Sequence, residues 1–385
     1  MFIRDITKLE KNSLNILKKV DVDKGAYTIL SRKMKTYLLY ISNLNVYGAN
    51  ILKQDALSIG ADLAVPKNAV TCAVKKVDAV LIATYRELET LAKKELAQPF
   101  GLKEVAKELK RFLKAYKYQE FEPSIMGVLN INSDSFFKDS QTDKDSILNS
   151  AIKMIEDGAD ILDIGAVSSR PQSLPISEIE ELKRVKQIID ILYENKMYEK
   201  VDLSIDSYSP KVIDYALQRG FTIVNDITGL ENDEVAKITA KYGAKIVIMH
   251  MQGTPETMQE NPKYSDVVKE VYYYFHERIE KAKKFGIDEK NIILDVGIGF
   301  GKTLQHNIEL LQSMKTFKTF GLPVLAGISR KSMIDKIIPT PIEERLPGTL
   351  TLHQKALENG ASILRVHDVK EHKQMVEIWK AFHKI

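Results

Sequence analysis

Asp206, Asn225 and Asp295 carry the most specific chemistry in this 385-residue chain. Each ends a short apolar run, and two carboxylates with a carboxamide make a wall of hydrogen-bonding groups. Such a wall suits a flat heterocycle edged with amino, ring N–H and carbonyl groups. Capping the next helix is the plainer account of Asp206 or Asn225 alone, but a poor account of all three together. Arg365 and His367 stand two apart on another run, so strand alternation points both to one side. The arginine fork there could grip phosphate, with Arg170 closing over the same anion, unless Arg365 pairs with Asp368 instead. The segment Gly327-Ile328-Ser329-Arg330-Lys331-Ser332 offers a glycine that admits a ligand to the backbone. Its Lys331 could lie over a ring or steady a carboxylate. Gly297–Lys302 matches a dinucleotide-binding loop only superficially, because the spacing is wrong and no acidic ribose partner follows. Its glycines instead bring Phe300 against a ring, while Met249 and Ile227 read as an apolar floor, with ordinary barrel core an equal account of Ile227. The chain has no Ser/His/Asp order, no cysteine nucleophile with a partner and no zinc-type cluster. Donors and acceptors without a nucleophile imply catalysis by positioning and leaving-group stabilisation, the substrate's own amine attacking.

Eight apolar runs position these residues, at 124–130, 160–166, 202–207, 222–227, 245–250, 292–297, 323–329 and 362–367. Helical patterns alternate with them at 143–156, 177–193, 210–218, 233–241, 264–285, 307–316, 348–358 and 370–383. Gly158, Gly220, Gly243, Gly286, Gly321 and Gly360 each follow a helix and precede a strand, where a left-handed C-cap needs glycine. The repeat predicts a (β/α)8 TIM barrel, an α/β fold with all eight strand ends on one face. Asn130, Asp206, Asn225, His250, Asp295, Arg365 and His367 fall at those ends, with Ser169, Arg170 and Lys331 just beyond. Loops 131–142, 167–177 and 252–263 on that face are long enough to be lids.

The barrel needs about 250 residues, which leaves the first 120 or so as a separate domain. Residues 1–120 hold 22 Lys+Arg and 13 Asp+Glu, a net of +9; the rest hold 34 and 39, a net of −5. The excess lysines spread over helices with apolar stripes and no aromatic–basic motif, so solvated helix faces are expected rather than nucleic-acid binding. Runs at 36–44 and 77–83 read as strands, and those at 49–59, 86–96 and 102–116 as helices. The expectation is a small basic α/β domain with a helical arm, of unstated role, joined to residues 121–385 near Pro123. One cysteine, Cys72, excludes an internal disulfide, and no apolar run spans a bilayer. A cytoplasmic protein without membrane contact is expected.

The motifs together resemble those of dihydropteroate synthases. The matching stretches are MGVLNINSDSF (126–136), SSRP (168–171), SIDS (204–207), VND (224–226), MHMQGTPETMQ (249–259), LDVGIGFGK (294–302), GISRKSM (327–333) and RVHDV (365–369). The resemblance spans about residues 123–385 and leaves the N-terminal segment unmatched. It implies joining of 4-aminobenzoate to a dihydropterin methyl diphosphate, giving dihydropteroate and pyrophosphate in folate synthesis. It implies pterin contacts by Asp206, Asn225, Met249, Asp295, Phe300, Gly327 and Lys331. Pyrophosphate would meet Asn130, Arg170, Arg365 and His367, with Mg²⁺ bridging its oxygens to Asn130. Aminobenzoate would lie by Ser169, Pro171, Phe300, Lys331 and Ser332, and Lys331, Asp206, Arg365 and His367 would carry the chemistry. A homodimer and sulfonamide sensitivity are implied as well. This chain departs at Asn132-Ser133, where the family usually has Thr-Pro, and at Ala166-Val167-Ser168-Ser169, where Gly-Glu-Ser-Thr is usual. Val296 replaces a usual proline, and Ile298 a usual phenylalanine. Two other expectations stand beside the synthase: a non-catalytic pterin-binding paralogue, suggested by the altered second loop, and a pterin-dependent methyltransferase module, which would not need Arg365-x-His367.

Overall fold

The computed structural model describes residues 13–118, 121–130, 141–165 and 177–383, without the side chains of 13, 115–118, 130 and 141–144. They fall into two compact units that divide after Tyr118. In the first unit, β1 (Thr36–Asn45), β2 (Asp62–Ala64) and β3 (Lys76–Thr84) form an antiparallel sheet in the order β1-β3-β2. Alternation along β3 buries Val77, Ala79, Leu81 and Ala83 on one face. Helices Val46–Leu57, Tyr85–Lys94 and Leu102–Tyr118 close over that face. The expected helical arm is no arm. Leu102, Leu109 and Leu113 of the third helix belong to the same core, and Phe112 meets Tyr37 edge-on at 5.4 Å. Its lysines and leucines fall on opposite faces, and the leucine face is what the core takes.

The second unit is a closed parallel barrel of β4 (Ser124–Asn130), β5 (Ile161–Gly165), β6 (Asp202–Asp206), β7 (Ile223–Asp226), β8 (Lys245–Met249), β9 (Ile292–Asp295), β10 (Val324–Ala326) and β11 (Ile363–Val366). All six predicted helix-terminating glycines have positive φ, from 63° at Gly243 to 105° at Gly360. The core has two parts. A large cluster joins the outward side of the strands to the helices, and a plug of Met126, Ile161, Ile223, Val247, Ile293, Leu325 and Ile363 fills the barrel. With a side-chain period of two, the residues two further along these strands share the plug's inward side. They are Val128, Asp163, Asn225, Met249, Asp295, Gly327 and Arg365. An apolar floor therefore carries a polar layer at the C-terminal mouth, where barrel enzymes place their sites.

Candidate active site

Arg365 organises one side of that layer. Its Nε donates to Asp163 Oδ2 at 2.6 Å and its Nη2 to Asp206 Oδ2 at 2.6 Å. Asp163 is fully buried and also accepts from Ser204 Oγ at 2.6 Å and from Asn225 Nδ2 at 3.2 Å. Asp206 and Asn225 are adjacent partners across β6 and β7. Burial pushes the Asp206 carboxyl up; Arg365 pulls the other way, and Asp163, Glu181 and Asp226 add to the rise. The facing carboxylates hold Arg365 firmly charged against the cost of burial. Neither Asp206 nor Asn225 caps a helix. Ser209 precedes helix Pro210–Leu217, and Asn232 caps Asp233–Tyr242. Asp226 does the local turn-making, accepting from the N–H groups of Thr228 and Leu230. The alternative pairing of Arg365 with Asp368 is not what forms either: Asp368 holds Arg330, at 3.0 Å from Nε.

The other side is built on two loops. Asp295 accepts from Gly297 N–H at 2.8 Å, and burial raises its pKa against the pull of Lys331, Lys302 and Arg365. Gly297, Gly299 and Gly301 all have positive φ, and a Cβ on Gly297 or Gly301 would run into the carbonyl oxygen of His250 or Gln252. This close approach folds the loop back and presents Phe300, whose ring centre lies 4.1 Å below the Lys331 ammonium. Lys331 donates to the carbonyl of Ile298, and burial lowers its pKa to about 7. Gly327 differs in kind. Its φ is ordinary, and a Cβ there would come no nearer than 3.9 Å to Arg365 or Leu325. Neither backbone strain nor a clash demands glycine at that point, since a Cβ would make only ordinary van der Waals contact. His367 meets Ser329 Oγ through Nδ1 at 2.9 Å, which joins the ends of β11 and β10. Ser332 is exposed at the start of helix Ser332–Ile337, and Met249 is buried, its carbonyl taking the Tyr274 hydroxyl at 2.9 Å.

Asp206, Asn225, Met249, Asp295, Phe300, Gly327, Lys331, Arg365 and His367 thus all come to the barrel mouth. Ser169, Arg170 and Pro171 lie outside the described residues, as does the side chain of Asn130 at the end of β4. Two buried charged groups near the mouth escaped sequence reasoning. Asp163 sat in mid-strand, where only the cost of an unpaired buried carboxylate could have marked it. Lys302 is also fully buried, and its ammonium ties Phe300 O at 2.9 Å, His250 O at 3.1 Å and His250 Nδ1 at 3.0 Å. Burial brings Lys302 down to about 7 and, together with Lys302, brings His250 down to about 3. No spacing rule singles out that lysine.

Residues 126–367 match the family described as pterin binding enzyme. A bifunctional dihydropteroate synthase/dihydropteroate reductase of Helicobacter pylori is 38% identical over 377 residues, covering 98% of each chain. The dihydropteroate synthase of Haemophilus influenzae is 40% identical over 260 residues, 67% of this chain and 94% of its own. The crystal structure of Xanthomonas albilineans dihydropteroate synthase with 4-aminobenzoic acid superposes with a TM-score of 0.63 at 34% identity, covering 69% of this chain and 94% of that one.

Proposed function

We infer the reaction from one premise: this chain belongs to the pterin-binding enzyme family, and its relatives are dihydropteroate synthases. It is a transferase of folate synthesis, joining 4-aminobenzoate to the methylene of a dihydropterin methyl diphosphate. The observation that carries this reading is the layered mouth: carboxylates, a carboxamide and two cations above an apolar plug.

In this reading the pterin edge lies against Asp206, Asn225 and Asp295, whose acceptors match its amino and ring N–H donors. Phe300 and Met249 cover its faces, and Lys331 lies over the ring system. The diphosphate sits toward Arg365 and His367, and Arg170 and Asn130 would bind it as well. Aminobenzoate enters by Ser169, Pro171, Phe300, Lys331 and Ser332. The carbon–oxygen bond to the diphosphate breaks, its electron pair leaving with pyrophosphate, and the aniline lone pair forms the carbon–nitrogen bond. The ammonium proton then passes to solvent or to the departing pyrophosphate. No strong base is required, because the attacking amine is neutral. The residues supply position and charge, Arg365 and Lys331 opposing the negative charge that grows on the leaving group.

Mg²⁺ fits as a guest of the substrate. Among the described residues no group of three or more His, Cys, Asp or Glu could hold a metal. Asn130 would help hold a Mg²⁺ that arrives with the diphosphate, and such an ion commonly needs only one or two protein ligands. Bound there, it would supply charge neutralisation to the departing pyrophosphate. A homodimer in the cytoplasm belongs to the same reading. The lone Cys72 is consistent with a reducing compartment, and among the described residues no helix is long and apolar enough to cross a membrane.

Purified full-length chain given the pterin diphosphate, 4-aminobenzoate and Mg²⁺ should release pyrophosphate only when aminobenzoate is present, with dihydropteroate as product. Pterin binding without turnover would contradict the synthase and favour a binding paralogue. The match to the bifunctional Helicobacter protein runs through the N-terminal unit as well, and favours a second activity there, reduction of dihydropteroate by a hydride donor from solution.

A further inference from the structure

Two fully buried histidines that the reaction does not use lie behind the site, His353 on helix Leu346–Glu358 and His372 on helix Val369–His383. They form a chain with a direction. The Ile328 N–H donates to His353 Nε2 at 3.1 Å, so that nitrogen carries a lone pair and the ring proton must sit on Nδ1. His353 Nδ1 then donates to His372 Nε2 at 2.8 Å, and His372 Nδ1 to the Asp368 carbonyl at 2.5 Å. Both ends of this chain are backbone groups of site loops. Ile328 lies three residues before Lys331, and Asp368 directly follows His367. The chain thus joins the β10 loop, through two helices, to the residue that leads into the helix after β11.

We propose that the neutral His353–His372 pair is a positioning device that seats the Lys331 loop against the Arg365–His367 strand end. The proposal rests on the synthase reading for its functional consequence. Other ties hold the same loop: Ser329 meets His367, Arg330 meets Asp368 and Thr349, and the Lys331 N–H donates to the Ile328 carbonyl at 3.1 Å; the histidine chain adds the bond that receives the Ile328 N–H. Protonating either ring would set donor against donor and open the chain. The groups that face the pair keep it neutral. Burial acts first on both; His372, Lys331 and His367 further depress His353, while the Asp368 backbone carbonyl, the Asp368 charge and Glu371 partly offset the fall at His372. The Ala326 carbonyl also faces His353, and a ring proton on Nε2 is the rival arrangement.

Two measurements on the full chain decide this. Nitrogen-15 histidine spectra should show two neutral rings protonated at Nδ1 that do not titrate between about pH 6 and 8, where an ordinary imidazole does. A His353 ring protonated at Nε2, or an ordinary titration of either ring, overturns the device. In kinetics, His372→Gln keeps an acceptor for His353, and its kcat should stay within about threefold of wild type. His372→Leu, of similar melting temperature, should lose roughly tenfold to a hundredfold in kcat at saturating substrates, the scale of a small misplacement. Wild-type kcat in a folded His372→Leu protein also overturns it. If that variant does not fold, the spectra decide alone. A wild-type chain without synthase activity would sink the synthase reading and leave the ring tautomers as the test of the chain.

Discussion

Arg365 holds two carboxylates at once, and that sharing determines what each is for. Asp163 is wholly buried and keeps no route to a ligand, whereas Asp206 lies at the mouth beside Asn225. Asp163→Asn should therefore act on stability. It removes a buried counter-charge from Arg365 and should cost about 2–4 kcal/mol in denaturant unfolding. A loss below about 1 kcal/mol would show that Asp206 alone suffices for the arginine. Lys331 makes the complementary prediction in activity. Its pKa lies near 7, so its charge is present below that pH and lost as pH rises through it. The free-enzyme parameter kcat/KM should decline above about pH 7. Lys331→Arg, slower overall, should lose that decline because guanidinium stays protonated. A wild-type limb near pH 10 would contradict the assignment. Residue types at strand ends were legible because a polar side chain closing an apolar run needs a reason. Asp163 was not, because a single charge inside a strand reads as solvent-facing until the barrel closes around it.

Strands and helices were legible through period and punctuation, and their ends were not. The seventh strand, expected over 323–329, keeps only Val324–Ala326 in the ladder. Ladder hydrogen bonds stop where the chain bends into the β10 loop, and apolar composition does not record that bend. Helix 307–316 likewise divides into Leu304–Gln312 and a tighter turn at Met314–Phe320. The short helix Ser332–Ile337, two turns at most, gave no periodic signal at all. What sequence could not convey was how loops lean on one another. The Gly297–Lys302 loop is clamped to the end of β8 by a buried ammonium, and the β10 loop is tied through two histidines to the helix that follows β11. Both devices join residues distant in sequence through atoms that no local pattern reports.

At the scale of the whole chain, the departure from a plain synthase is the unit before Tyr118. Its core of Leu52, Leu63, Leu81, Leu88 and Leu91 is its own, and the Haemophilus relative matches only 67% of this chain. If the unit serves the reductase step, the full chain supplied with dihydropteroate and reduced nicotinamide or flavin should form the tetrahydro product. Residues 121–385 alone should retain synthase turnover and lose that reduction. Equal reduction by both forms would place the second activity in the barrel. Nothing in the composition of residues 1–120 distinguishes these outcomes, since lysine-rich amphipathic helices serve many ends.

The barrel itself makes the central claim: an acceptor wall at its mouth directs a pterin diphosphate toward aminobenzoate. The most direct measurement is the rate of dihydropteroate formation by the wild-type chain and by Asp206→Ala under the same conditions. The account predicts turnover in the first and loss of about a thousandfold or more in the second, with Arg365 still paired to Asp163 and the fold intact. Full turnover by a folded Asp206→Ala protein would contradict it.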